Sequence, residues 1–216
     1  MNIMQLRKEI TTSVFTHERL ETLLSGWVNN VNAKISYMVK KGELIRLKKG
    51  IYTFGEEYLQ EPVDLITAAN MLYTPSYVSY EYALSYYGLI PERVYEVTSA
   101  TLHSKKSFET PIGRFTYKPV PVQAYSLGID WLYDSTNGGK LIATPEKALC
   151  DKMRADRGIG KLSQEKLSEY LMYDLRIDWE EVIALDEALI SQIAQAYRSS
   201  NLANLAKLII KRKQSV

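Results

Sequence analysis

Over residues 1–55 the apolar positions first recur at a helical period and then condense into two short runs. Ile3, Leu6 and Ile10 fall at i, i+3 and i+7, which predicts one buried stripe on a first helix. Thr16 stands where an N-cap belongs, ahead of a second helix that turns Leu20, Leu23 and Leu24 inward. Ser25-Gly26 is expected to end that helix, the glycine supplying a positive φ. A third helix is predicted from about Asn29 to Lys41, with Val31, Ile35, Met38 and Val39 on its apolar face, closed by Lys41-Gly42. The runs LIRL and IYTF, separated by Lys48-Lys49-Gly50, predict a β-hairpin with a basic tip. Three short helices followed at once by a hairpin is the order of a winged helix-turn-helix.

Gly55 to Pro62 is polar and lacks periodicity, so the boundary is expected there: 1–58 as the small unit, 59–216 as a larger one. In the second part Val63 to Leu72 reads as a helix with Leu65, Ile66, Ala69 and Leu72 inward, and Tyr80 to Tyr87 as another, closed by Gly88. Residues 94–123 read as strands, with further strands over Ala124–Leu132 and Lys140–Ala143. From Thr144 as cap and Pro145 at the first helical position, the chain turns helical again over about 145–155, 163–173, 179–198 with a break, and 202–213. The fold class is α+β, a winged helix-turn-helix joined to a mixed α/β part that ends in helices.

Charge sharpens this reading. Residues 1–55 carry nine Lys/Arg against four Glu, a net +5, and the remaining 18 basic and 21 acidic residues leave the rest at −3. A basic module on a mildly acidic body suits a polyanionic partner. On a helical wheel the apolar group of the third helix occupies roughly 120°. The opposite arc holds Asn29, Asn30, Ala33, Ser36, Tyr37 and Lys40, with Lys34 and Lys41 at its edge. Asn can pair with adenine through both ends of its amide, Ala can touch a thymine methyl, and Ser, Tyr and Lys can contact phosphate. Arg46, Lys48 and Lys49 fall where a wing would lie against the sugar-phosphate backbone. The competing interpretations are an ordinary solvated helix face and a merely solubilising turn.

Catalytic chemistry is poorly provided for. The two histidines, His17 and His103, and the single Cys150 are dispersed, which excludes a four-ligand zinc site. The chain has no P-loop and no dinucleotide fingerprint, and Gly138-Gly139 reads as a loop. Cys150, among Ala148, Leu149 and Met153, reads as a packed small side chain. Asp130, Glu146 and Asp151 are the carboxylates to which a metal-dependent nuclease would have to turn. Tyr80, Tyr82, Tyr86 and Tyr87 offer either a stacking surface or a half-buried helix on a sheet, and the second is favoured. Lys207, Lys211, Arg212 and Lys213 complement the dipole of a last helix. No stretch of about 18 apolar residues is present, and Met1–Ile10 lacks the apolar core of a secretion signal. A cytoplasmic protein with no cofactor, no metal and no membrane partner is expected.

The segments KKGELIRLKKGIYTF, YVSYEYALSYYGLIP, VYEVTSATLHSKKSFETPIGRFTYKPV and IATPEKALCDKM, in this order and over about residues 5–155, resemble the AbiEi antitoxins. These are the transcriptional regulators of AbiE-type abortive-infection (type IV) toxin–antitoxin systems. The resemblance implies an N-terminal winged helix-turn-helix that binds inverted repeats in its own promoter and represses transcription, as a monomer when free and cooperatively on DNA. It also implies a C-terminal part that counteracts a nucleotidyltransferase-like toxin without forming a stable complex with it. By that likeness Lys34, Lys40, Arg46, Lys48 and Lys49 are on the DNA-facing part of the motif, and no antitoxin site is assigned in the body. The alternatives are a stand-alone winged-helix regulator and a protein-interaction adaptor without a toxin.

Overall fold

The chain is described here from a computed structural model, covering residues 1–156 and 159–214. Its first elements are α1 (Ile3–Glu9), β1 (Val14–Thr16), α2 (His17–Leu24), α3 (Val31–Lys40), β2 (Leu44–Lys48) and β3 (Ile51–Phe54). The three strands form one antiparallel sheet in the order β1-β3-β2. Each helix starts where its sequence supplies a cap. Asn2 and Gln5 close a reciprocal capping box on α1, Thr16 accepts from the Arg19 amide, and Asn30 accepts from the Ala33 amide. The expected stripes converge on one core of Ile3, Leu6, Ile10, Phe15, Leu20, Leu24, Ile35, Met38, Leu44, Tyr52 and Phe54.

Three local expectations for this region are corrected. Gly26 has no positive φ. The α2 helix ends instead at Ser25 in a right-handed conformation, and the Trp27 and Val28 amides both bond the Leu24 carbonyl. The β1 strand had no counterpart in the sequence reading, since three residues are too few to display a period. The third helix is also shorter than expected, because Asn29 and Asn30 precede it and Lys41 caps it.

A second sheet has six strands in the order β6-β7-β5-β4-β9-β8. These are β4 (Ser76–Val78), β5 (Val97–Thr101), β6 (Lys106–Thr110), β7 (Gly113–Pro119), β8 (Ile129–Asp134) and β9 (Gly138–Ala143). The pairs β5/β7 and β4/β9 are parallel, and the other neighbours are antiparallel. Helices α4 (Leu65–Leu72) and α5 (Tyr80–Tyr86) pack on this sheet, and a short α6 (Val122–Tyr125) follows β7. Then come α7 (Pro145–Ala155), α8 (Gln164–Glu169), α9 (Trp179–Ala184), α10 (Glu187–Tyr197) and α11 (Ser200–Lys213). The architecture is α+β, with the helices of the C-terminal third packed beside the mixed sheet.

Residues 122–125 are helical where a strand was expected, and β4 was missed because its three residues, Ser76–Val78, are too few to display a period. The inward set of α4 is Ile66, Thr67, Ala68, Ala69 and Leu72, with Leu65 half-buried. The helix expected over 163–173 becomes a π-helical turn at Tyr170–Asp174. Tyr80 is buried, Tyr82 and Tyr87 are half-buried and Tyr86 is exposed, a tyrosine-rich helix packed on β5 and α7.

The first unit is clasped to the rest of the chain. The Asn137 side-chain carbonyl accepts from both the amide (2.9 Å) and the hydroxyl (2.8 Å) of Ser13. The Ser13 hydroxyl in turn accepts from the Asp64 amide (3.2 Å). Val14 and Leu47 point into the core of the six-stranded part. The segment expected to be a bare boundary is partly folded: Glu56–Tyr58 make a single 3-10 turn, and Tyr58 and Leu59 pack against the first core.

Candidate nucleic-acid interface

Helix α3 packs through Ile35 and Met38, with Val31 and Val39 half-buried beside them, against α2 and β2. That seating fixes which side is left over. Asn29, Asn30, Asn32, Ala33, Ser36, Tyr37, Lys40 and Lys41 are all exposed, and nothing among the described residues of the six-stranded part covers them. Next to α3, β2 and β3 form a hairpin whose register pairs Lys48 with Ile51, which leaves Lys49-Gly50 as a two-residue turn. Gly50 takes φ +85°, the left-handed conformation that such turns require.

The helix face and the hairpin meet. A recess of about 470 Å³ is lined by Asn32, Ile35 and Ser36 of α3, by Arg46, Lys49, Gly50 and Tyr52 of the hairpin, and by His17 and Glu18 at the start of α2. Ser36, Arg46 and Lys49 therefore border one depression, open to solvent. The sequence reading did not include Asn32 or His17. Asn32 is four residues before Ser36, which puts both on one side of a helix, so the signal was available in the spacing.

On the other flank of α3, Tyr37 is 49% exposed and stands between two ammonium groups. Lys34 Nζ is 5.6 Å and Lys41 Nζ 5.0 Å from its ring centroid. Hydrogen bonding to Tyr37 raises the Lys41 pKa, so Lys41 stays charged well past neutral pH. The electrostatics also contain one opposing group. Glu18, within the recess, has its carboxyl pKa lowered by the helix-start backbone N–H and by the Thr16 hydroxyl, with a smaller contribution from His17. It is anionic at neutral pH, which works against a phosphate.

Two residues of the expected interface have other occupations. Lys48 does not join Arg46 and Lys49. Its Nζ donates to the Leu72 carbonyl (2.8 Å) and lies 5.4 Å from the centroid of Phe108. The cause is a register shift between Arg46 and Lys48, which breaks the alternation of side chains and aims Lys48 at the body. Leu72 is the last residue of α4, where free carbonyls and the helix dipole favour a cation. Asn30 holds the Ala33 amide (2.9 Å) as the N-cap of α3, so its carbonyl oxygen is engaged within the helix start. Another cation of the segment, Arg7, is buried, with its guanidinium on the Ile10 and Thr11 carbonyls and on Gln60.

The carboxylates considered for metal chemistry have separate occupations. Asp151 is buried and accepts from Lys147, Tyr197, Tyr77 and Ser79, Glu146 accepts from the Asp186 amide, and Asp130 accepts from the Trp131 amide. Among the described residues no three His, Cys, Asp or Glu side chains group so as to hold a metal ion, and no helix is long and apolar enough to cross a membrane. Cys150 is fully buried, and burial pushes its thiol far up in pKa. No family model matches the chain, and no curated protein matches its sequence.

Proposed function

We propose that residues 1–58 are a winged helix-turn-helix in which α3 enters the major groove and the β2–β3 hairpin is the wing, and that the protein represses its own promoter. The observation that carries this reading is the recess in which Ser36 and Asn32 of α3 sit beside Arg46 and Lys49 of the hairpin. A base-reading helix needs cations beside it to hold the duplex in register, because phosphate contacts position the protein and base contacts specify the sequence. The readers in this proposal are Asn29, Asn32, Ala33, Ser36 and Tyr37, and the phosphate contacts are Lys34, Lys40, Lys41, Arg46 and Lys49. Lys48 is withdrawn from the interface, and Asn30 is assigned to capping.

In keeping with the AbiEi resemblance, the protein is further proposed to be the antitoxin of an AbiE-like, type IV toxin–antitoxin pair. Residues 59–216 would oppose a nucleotidyltransferase-like toxin without a stable complex, the protein acting in the cytoplasm and binding cooperatively to paired half-sites. The experiment has two arms. Footprinting on the promoter of its own gene should protect inverted repeats, and a reporter from that promoter should be silenced by the full chain. Co-expression with the product of a neighbouring nucleotidyltransferase-like reading frame should restore growth. Absence of a footprint overturns the repressor, and continued toxicity overturns the antitoxin while leaving a stand-alone regulator.

A further inference from the structure

A second cavity, of about 380 Å³, opens in the six-stranded part, away from the α3 face. Cations reach it from three separate places in the chain: Lys105 from the turn before β6, Lys118 from β7 and Arg154 from α7. Its inner wall is formed by Tyr80, Tyr197 and Asp151, all buried. Lys118 Nζ lies 4.5 Å from the Tyr80 ring centroid, and the Arg154 guanidinium is 5.8 Å from that of Tyr197.

The charge balance of this cavity is positive. Asp151 carries a negative charge at the back, but its two oxygens are fully engaged. One accepts from Lys147 Nζ (2.8 Å) and the Tyr197 hydroxyl, the other from the Tyr77 hydroxyl (3.0 Å) and Ser79 Oγ (2.8 Å). The buried Lys147 thus neutralises Asp151. Of the three cations at the mouth, Lys118 has Glu81 only at 3.9 Å, and no ion pair of Lys105 or Arg154 is formed among the described residues. Tyr80 adds a second, independent observation. Its φ is +58°, a left-handed conformation that a bulky side chain adopts only when its surroundings hold it there. The residue is only 2% exposed and lines the cavity. Residues held in a strained backbone conformation of this kind cluster at functional positions such as ligand clamps.

We infer that this cavity is a binding site for a small phosphate-bearing ligand, such as a nucleotide, with Lys105, Lys118 and Arg154 holding the phosphate and the Tyr80 hydroxyl donating to it. The size of the cavity suits a mononucleotide. Cations arranged around a recess with buried walls favour a free phosphate group over the backbone of a duplex, which needs an open stripe. The site is independent of the DNA-binding proposal, since it uses none of the same residues.

The test is calorimetric titration of the full-length protein with ATP, AMP, adenosine and inorganic phosphate, and with a single-stranded oligonucleotide. ATP and AMP are expected to bind, phosphate to compete with them, and adenosine to fail. Lys105→Ala with Arg154→Ala, both exposed positions, should weaken AMP at least tenfold while leaving Tm and promoter binding unchanged. Tyr80→Phe should weaken AMP several-fold without loss of fold, which isolates the hydroxyl. Adenosine binding as tightly as AMP, unaltered affinity in the double variant, or no binding of any phosphate compound at about 1 mM overturns the site. Binding of the oligonucleotide but not of AMP would overturn it in favour of a second nucleic-acid surface.

Discussion

Two lysines adjacent in the chain have different work to do. Lys48 closes the end of α4 through the Leu72 carbonyl, whereas Lys49 is exposed in the turn of the hairpin. Lys48→Ala should therefore lower stability by about 1.5–3 kcal/mol, the usual worth of a hydrogen bond that involves a charged group. Thermal melting checks this, and the same variant should bind promoter DNA with an unaltered salt dependence. Glu18 gives the opposite test. Its carboxylate faces the recess shared by Ser36, Arg46 and Lys49 and is held ionised by the start of α2. Glu18→Gln removes a charge that repels phosphate, so duplex affinity should rise, by several-fold at low salt and less at high salt. A fall in affinity would mean that the duplex does not pass over this recess. The buried Lys147–Asp151 pair belongs to the same scale. Removing one partner leaves an uncompensated charge among Tyr77, Ser79 and Tyr197, and Asp151→Ala should cost about 3–5 kcal/mol in a denaturant titration.

Among the elements, α3 is the one on which the proposed recognition would depend, and its start is set by a single side chain. The Asn30 carbonyl oxygen holds the Ala33 amide, so Asn30→Ala should destabilise the N-terminal unit by about 1 kcal/mol, while Asn30→Ser keeps the cap and the stability. Gly55 shows how tightly the end of α3 is held to β3: a Cβ there would fall 2.0 Å from the Gly42 carbonyl oxygen. Much of this was legible in the sequence. The stripes Ile3/Leu6/Ile10 and Ile35/Met38, the cap at Thr16 and a hairpin turn containing Gly50 each depend on neighbours a few residues away, and local spacing records such relations. Strands β1 and β4 were not legible, because three residues carry no period and their pairing partners, Ile51–Thr53 for β1, are distant in the chain. The direction of Lys48 escaped for a related reason. A register shift turns it, and the carbonyl it reaches is 24 residues away. The basic cavity around Tyr80 was equally hidden, since Lys105, Lys118 and Arg154 come together only through the fold.

At the scale of the whole molecule, the basic unit is not a bead on a flexible tether. Ser13 with Asn137, Lys48 with Leu72, and Val14 and Leu47 in the larger core fix it against the six-stranded part. A duplex held on α3 would thus be presented at a set angle to residues 59–216, which gives the proposed cooperativity on inverted repeats a geometric basis. The charge division of the chain, +5 in residues 1–55 and −3 beyond, would orient the approach to DNA in the same sense. In the proposed complex α3 and the hairpin tip grip one duplex together. That shared grip is tested most directly by the affinity of the full chain for its own promoter across a series of salt concentrations, with the Arg46→Ala, Lys49→Ala double variant alongside. Each phosphate contact contributes about 0.9 to the slope of log K against log salt, so the double variant should bind more weakly and with a slope shallower by about 1.8. An identical slope in variant and parent would contradict the account.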